Sequence, residues 1–219
     1  MMPRILVINP NSSRECTAGI DAAVAAYRWS RGPEIDVVGL SDGPPAILSW
    51  RDWHAAVEPL CRRVEREAAD VYVIACASDP GIEAVRALTA RPVLGVFRSA
   101  VAACLARAER FGVIAIVQAS KGRHLAALRS MGLEGRLAAE VALNVSMDAL
   151  LDPVACRARL IEAAKACVAA GAGAVVLGCT GMAAHRAAIE AECGVPVIEP
   201  CAAAVALGLT CLVREPVLA

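Results

Sequence analysis

Two stretches carry the residues best suited to chemistry. VYVIACASDPG (71–81) and AVVLGCTGM (174–182) are apolar runs that each end in a cysteine followed by small residues and a turn. A cysteine between a strand and a helix N-terminus has two advantages. The free N–H groups and the helix dipole favour the thiolate. The same N–H groups form a nest for charge that develops on a substrate. Ala77 and Ser78 after Cys76, and Thr180 and Gly181 after Cys179, are small enough to let backbone approach a ligand closely. A nucleophilic cysteine normally wants a base beside it. The chain has three histidines, His54, His124 and His185, and none has a recognisable triad context. Two opposed thiols suit a different task. One thiolate removes a proton from carbon on one face and the other thiol returns one on the opposite face, inverting a stereocentre without metal or cofactor.

Polar residues cluster at one more junction. INPNSS (8–13) closes the first apolar run and supplies Asn9, Asn11, Ser12 and Ser13. It reads either as a substrate-gripping loop or as an N-cap and turn. Ser120-Lys121-Gly122 holds the same position in the second half, where a plain N-cap is the stronger reading.

The elements that must position these residues alternate. Strand patterns fall at 4–9, 35–40, 71–76, 92–96, 112–117, 136–143, 174–179 and 196–199. Helix patterns fall near 14–29, 52–69, 80–90, 98–109, 121–131, 153–170, 181–192 and 201–213, with Asp79-Pro80 reading as a helix start. Repeated strand–helix–strand order predicts parallel sheets covered by helices. The order also repeats internally. Cys76 matches Cys179, Arg91-Pro92-Val93-Leu94 matches Val195-Pro196-Val197-Ile198, and Asn11-Ser12 matches Ala119-Ser120, at an offset close to half the chain. The expected fold is therefore α/β, with two pseudo-symmetric lobes. Each is a four-stranded parallel sheet flanked by helices, and the active site lies in the cleft between them. The first lobe spans 1–97, completed by a C-terminal helix at 201–219, and the second spans 98–200.

Composition sets outer limits. The 219 residues are 58% hydrophobic and only 3% aromatic, so the core is built from Ala, Val, Leu and Ile. Lys plus Arg equals Asp plus Glu at 22 each, which offers no bulk field to nucleic acid or an anionic membrane. Mean hydropathy is positive, but the longest uncharged stretch, between Lys165 and His185, is broken by four glycines into soluble-protein elements. MMPRILVINP begins a strand almost at once and lacks a signal-peptide pattern, so a cytoplasmic location is expected. Ten cysteines are scattered without a CxxC pair or zinc spacing. Cys61, Cys104, Cys156, Cys167 and Cys211 lie in helical patterns and read as packing residues. The expected partner is a small-molecule substrate, and so Ala-rich a chain is expected to form a homo-oligomer.

INPNSS, ACASDPG (75–81) and LGCTGM (177–182), in that order, resemble the aspartate/glutamate racemase superfamily, and within it the hydantoin/allantoin racemase family. The resemblance runs from Ile8 to about Pro200. It implies two α/β lobes and cofactor-independent racemisation by two bases. By position, Cys76 and Cys179 would be the acid/base pair. Asn11, Ser12 and the groups around Ala77 and Thr180 would hold carbonyl or amide atoms of a hydantoin-type or amino-acid-derived substrate. The chain departs from the family after the fourth strand, where a glutamate is usual and Gly95-Val96-Phe97-Arg98-Ser99-Ala100 stands here. Arg98 in the cleft would favour a carboxylate substrate. Two other chemistries belong to the same superfamily, maleate-type cis–trans isomerisation and arylmalonate-type decarboxylation. The decarboxylases keep one cysteine of the pair. A sensor that binds without catalysis is the reading from another class. Two cysteines at equivalent strand ends favour catalysis over that reading.

Overall fold

The computed structural model describes residues 2–146 and 156–213. Strands β1 (Arg4–Asn9), β2 (Glu34–Gly39), β3 (Val71–Ile74) and β4 (Val93–Gly95) form one parallel sheet in the order β2-β1-β3-β4. Strands β5 (Phe111–Ala115), β6 (Leu137–Ala142), β7 (Ala174–Gly178) and β8 (Val197–Ile198) form a second in the order β6-β5-β7-β8. The two orders are the same, which is the repeat read in the sequence. Strands β3, β5 and β7 are buried at every position. Strands β2 and β6 lie at the edges and are only partly buried. Buried parallel strands are covered on both faces, so they read as continuous apolar runs rather than as alternation.

Helices α1 (Arg14–Val24), α2 (Trp50–Ala55), α3 (Val57–Arg66), α4 (Ile82–Leu88), α5 (Val96–Leu105), α6 (Ser120–Ser130), α7 (Arg157–Ala169), α8 (Arg186–Cys193) and α9 (Pro200–Leu212) supply the covers. Successive strand residues face opposite sides. Leu6, Ile8, Tyr72 and Ile74 therefore pack on Leu60 and Val64 of α3 and Ile82 and Val85 of α4. Ile5, Val7, Val71 and Val73 pack on Ile20 and Val24 of α1 and on Cys201, Ala204 and Val205 of α9. In the second sheet, Ile114, Val175 and Leu177 face Leu160, Ala164 and Cys167 of α7. Phe111, Val113, Ala174 and Val176 face Phe97, Ala100, Val101 and Cys104 of α5.

Two helices thus change sheets. Helix α5 follows β4 of the first sheet directly and covers the second. Helix α9 follows β8 of the second sheet and covers the first. The exchange ties the halves together with fully buried side chains such as Phe97, each contributing roughly 1.5–3 kcal/mol. Residues 214–219 of the expected C-terminal helix lie outside the described residues, as do 153–155 of the expected helix at 153–170.

Several boundaries differ from expectation. The pattern at 52–69 is two helices, hinged at Ala56. The pattern at 181–192 opens as a 3-10 helix over Thr180–His185 before α8. The helix expected to start at Asp79-Pro80 starts at Ile82, with Gly81 as its N-cap at φ 65°. Asp79 is diverted. Its carboxylate accepts from the N–H groups of Phe97 (2.8 Å) and Arg98 (3.0 Å) and so caps α5 instead of α4. Gly95 makes this possible, because a Cβ there would sit 2.3 Å from the Asp79 carboxyl carbon. Ser120 is not an N-cap either, since Ala119 holds that position and Ser120 is the first residue of α6. Among the described residues no helix is long and apolar enough to cross a membrane.

Candidate active site

In each sheet the strand order reverses between the two central strands. In open parallel sheets, ligands bind beyond the carboxyl ends of the strands at such a switch point. Asn11 and Cys76 follow β1 and β3; Ile116 and Cys179 follow β5 and β7. These four residues line one cavity of about 50 Å³, together with Cys16, Leu48, Ala77, Ser78, Ser120, Arg123, His124 and Thr180. A larger open groove of about 800 Å³ runs along Arg107, Arg186, Glu190 and Glu199, but it has no thiol on its wall. Each sheet contributes one cysteine to the small cavity, which makes it the candidate site.

Both cysteines are free thiols, and burial governs their ionisation. Cys76 is pushed above the usual thiol range by burial and, less strongly, by the Asp79 charge, against the opposing pull of the Ser78 hydroxyl at 3.4 Å, the Ser78 N–H and the Arg123 guanidinium. Cys179 is pushed up to about 12 by burial; the Gly181 N–H favours its thiolate, and negative charge on Cys76 or Cys16 disfavours it. Burial works against the thiolates expected from helix N-termini, and two structural features weaken the help a helix dipole could give. The turn after Cys76 runs to Gly81 before α4 begins, and the 3-10 helix after Cys179 is too short to carry a strong dipole. Desolvation outweighs the N–H groups that remain.

The polar loop after β1 divides its work. Asn9 is buried and structural, donating to Asn11 Oδ1 (2.9 Å) and Thr17 Oγ1 (3.0 Å). Ser13 caps α1 by accepting from the Cys16 N–H. Asn11 reaches the cavity wall. Ser12 lies beside Pro44 on a separate surface hollow. Ala77, Ser78, Ser120 and Thr180 all line the thiol cavity. Gly181 lines the neighbouring hollow, which shares Cys16 and Thr180 with it. Arg98 stands apart. Its guanidinium donates to Asp79 (3.1 Å), Glu83 (2.9 Å) and Ser130 Oγ (3.2 Å), outside the cavity wall.

Two polar cavity residues, Arg123 and His124, escape the motif reading. Arg123 is 3% exposed. Its Nη groups donate to the carbonyls of Ile47, Leu48 and Ala119 and to Ser120 Oγ. His124 packs at 4.6 Å against Phe97, and its Nδ1 lies 2.6 Å from Glu140 Oε1. The adjacency of Ser120, Arg123 and His124 on one helical face was the only hint available. Among the described residues no three His, Cys, Asp or Glu side chains gather as metal ligands.

Comparison with known proteins places this arrangement. The profile of the Asp/Glu/Hydantoin racemase family matches residues 5–208. The chain belongs to that family. It is 39% identical to the hydantoin racemase of Paenarthrobacter aurescens over 208 residues, covering 92% of this chain and 87% of that one. The hydantoin racemase of Pseudomonas sp. (strain NS671) is 33% identical, with 90% and 80% covered. The allantoin racemase structure from Klebsiella pneumoniae superposes with a TM-score of 0.83 at 29% identity, covering 99% of this chain and 96% of that one. The protein is accordingly an isomerase of the racemase type. The superposition on that allantoin racemase takes in both sheets.

Proposed function

We propose that this racemase acts on a hydantoin-type ring at the carbon beside the acyl group, with Cys76 and Cys179 as its two acid/base groups. The observation that carries the reading is that each sheet contributes one thiol to the wall of a single cavity. Allantoin itself contains a hydantoin ring, so the names of the relatives point to one ring system.

The reaction balances without an external reagent. In one direction the Cys76 thiolate takes the α-proton, forming S–H as C–H breaks. The electron pair moves onto the acyl oxygen as an enolate. The Cys179 S–H then delivers its proton to the opposite face of the carbon and becomes the thiolate. The reverse turnover restores the starting state. Of the two thiols Cys76 is the readier base, because Ser78 and Arg123 favour its thiolate against burial and the Asp79 charge, whereas Cys179 is pushed up to about 12. A charged Cys76 further raises Cys179, so only one of the two is ionised at a time. Asn11, whose Nδ2 has no partner among the described residues, and the backbone at Ala77 and Thr180 hold the ring amides.

The test is proton NMR in heavy water on single enantiomers of 5-substituted hydantoins, with the wild type, Cys76→Ser and Cys179→Ser. The wild type exchanges the α-proton as optical rotation decays to zero. Each serine variant loses racemisation, and one retains exchange from a single enantiomer. Full racemisation by either variant removes the two-thiol mechanism.

A further inference from the structure

The guanidinium of Arg123 is buried on the cavity wall without a carboxylate partner among the described residues. An arginine has five N–H donors. Four are taken: Nη1 donates to Leu48 O (3.2 Å) and Ala119 O (3.2 Å), and Nη2 to Ile47 O (3.5 Å) and Ser120 Oγ (3.2 Å). The fifth, on Nε, is buried and has no acceptor among the described residues. A buried donor without an acceptor is costly, and a native site that keeps one commonly has a ligand for it.

We infer that the Arg123 Nε–H binds the acyl oxygen of the substrate, and that this single donor selects a ring carbonyl over a carboxylate. Carboxylate recognition by arginine uses two parallel N–H groups. Here the second, on Nη2, is withheld by Ser120 Oγ and the Ile47 carbonyl. One N–H matches one oxygen. A cation at that oxygen also gains strength as the enolate forms, which is the requirement for lowering the barrier. Of the acids whose charge acts on Arg123, Asp52 is occupied by the N–H groups of Leu48 and Ser49 and by Ser49 Oγ, and Glu140 by His124. The ligand class is therefore a neutral cyclic ureide, not a free amino acid. The identity of the reacting oxygen rests on the racemase reading; the count of donors does not.

Calorimetry at neutral pH tests the inference with two probes that cannot racemise. 5,5-Dimethylhydantoin is the ring, and its hydantoate, N-carbamoyl-2-methylalaninate, is the same ring opened to the ureido acid. The wild type binds the ring at least about tenfold more tightly. Ser120→Ala frees one Nη N–H beside Nε and moves the preference about tenfold toward hydantoate. Arg123→Lys loses the ring preference; should it fail to fold, as its melting curve would reveal, Ser120→Ala decides alone. A wild type that prefers hydantoate or binds no ring overturns the inference. So does a ratio that Ser120→Ala leaves unmoved. Ring preference without α-proton exchange on 5-monosubstituted hydantoins removes the racemisation reading and leaves the donor assignment standing. Exchange with an unmoved ratio does the reverse.

Discussion

Asp79 holds Arg98 away from the thiols. The carboxylate is fully buried, accepts the Arg98 backbone N–H at 3.0 Å and pairs with the Arg98 guanidinium at 3.1 Å. The residue that follows Cys76 by three positions is thereby fixed to the first turn of α5. One pair couples the cysteine turn to the helix that crosses between the sheets.

Removing Asp79 uncaps α5 and leaves the Phe97 and Arg98 N–H groups without their acceptor, while the Arg98 guanidinium keeps Glu83 and Ser130. Asp79→Ala is expected to destabilise the fold by about 2 kcal/mol or more. Urea unfolding reads this directly, and a loss below about 1 kcal/mol would show that the pair is dispensable. Arg98→Ala, by contrast, is expected to change KM for a hydantoin by less than about twofold, since the guanidinium lies off the cavity wall. A tenfold rise would return Arg98 to the site.

Thiol reactivity distinguishes the two cysteines. Iodoacetamide is expected to label Cys76 before Cys179, because the Ser78 hydroxyl and N–H, with Arg123, favour the Cys76 thiolate, whereas burial pushes Cys179 up to about 12. Burial raises both thiols, so the labelling rate and kcat/KM both climb through neutral pH and are still climbing at pH 9. Peptide mapping by mass spectrometry across a pH series checks the order. Equal labelling, or a plateau below neutral pH, contradicts it.

Packing thiols set the alkaline limit of stability. Burial pushes Cys167 up to about 11 and Cys104 up to about 12, from 9.0 when exposed. A raised folded-state value stabilises the fold fully below the unfolded value and loses that contribution as pH rises through the folded one. Unfolding free energy is therefore expected to fall from about pH 9 toward pH 12. Cys167→Ala should flatten the earlier part of that fall. A wild-type curve that stays level over the window would deny the burial effect.

The His124–Glu140 pair is closed inside the second lobe, with both side chains at most 6% exposed. Glu140→Leu leaves the imidazole without its partner and is expected to destabilise by about 1–3 kcal/mol, while Glu140→Gln keeps a hydrogen bond and costs less. Thermal melts of the two variants give the ranking. Equal melts would mean that the contact is incidental.

Much of this protein was determined by local pattern. Central parallel strands are buried on both faces, so RILVIN, VYVI and AVVLG declare themselves as apolar runs without help from the rest of the chain. The repeat of cysteine, small residue and turn after two of them placed the thiols at equivalent strand ends, and the doubled sheet order followed. What only the tertiary structure decided are the pairings that span the chain. Arg123 meets Leu48 across 75 positions, and Asp79 takes Phe97 across 18. In neither pair do the two residues share an element, so no helical or strand period links them. Glu140 lies on an edge strand, where partly exposed acids are ordinary, so nothing marked it as the partner of His124. The direction in which the thiols shift is tertiary as well. A helix end is visible in sequence, but desolvation depends on everything packed around the sulfur, and here it outweighs the local dipole.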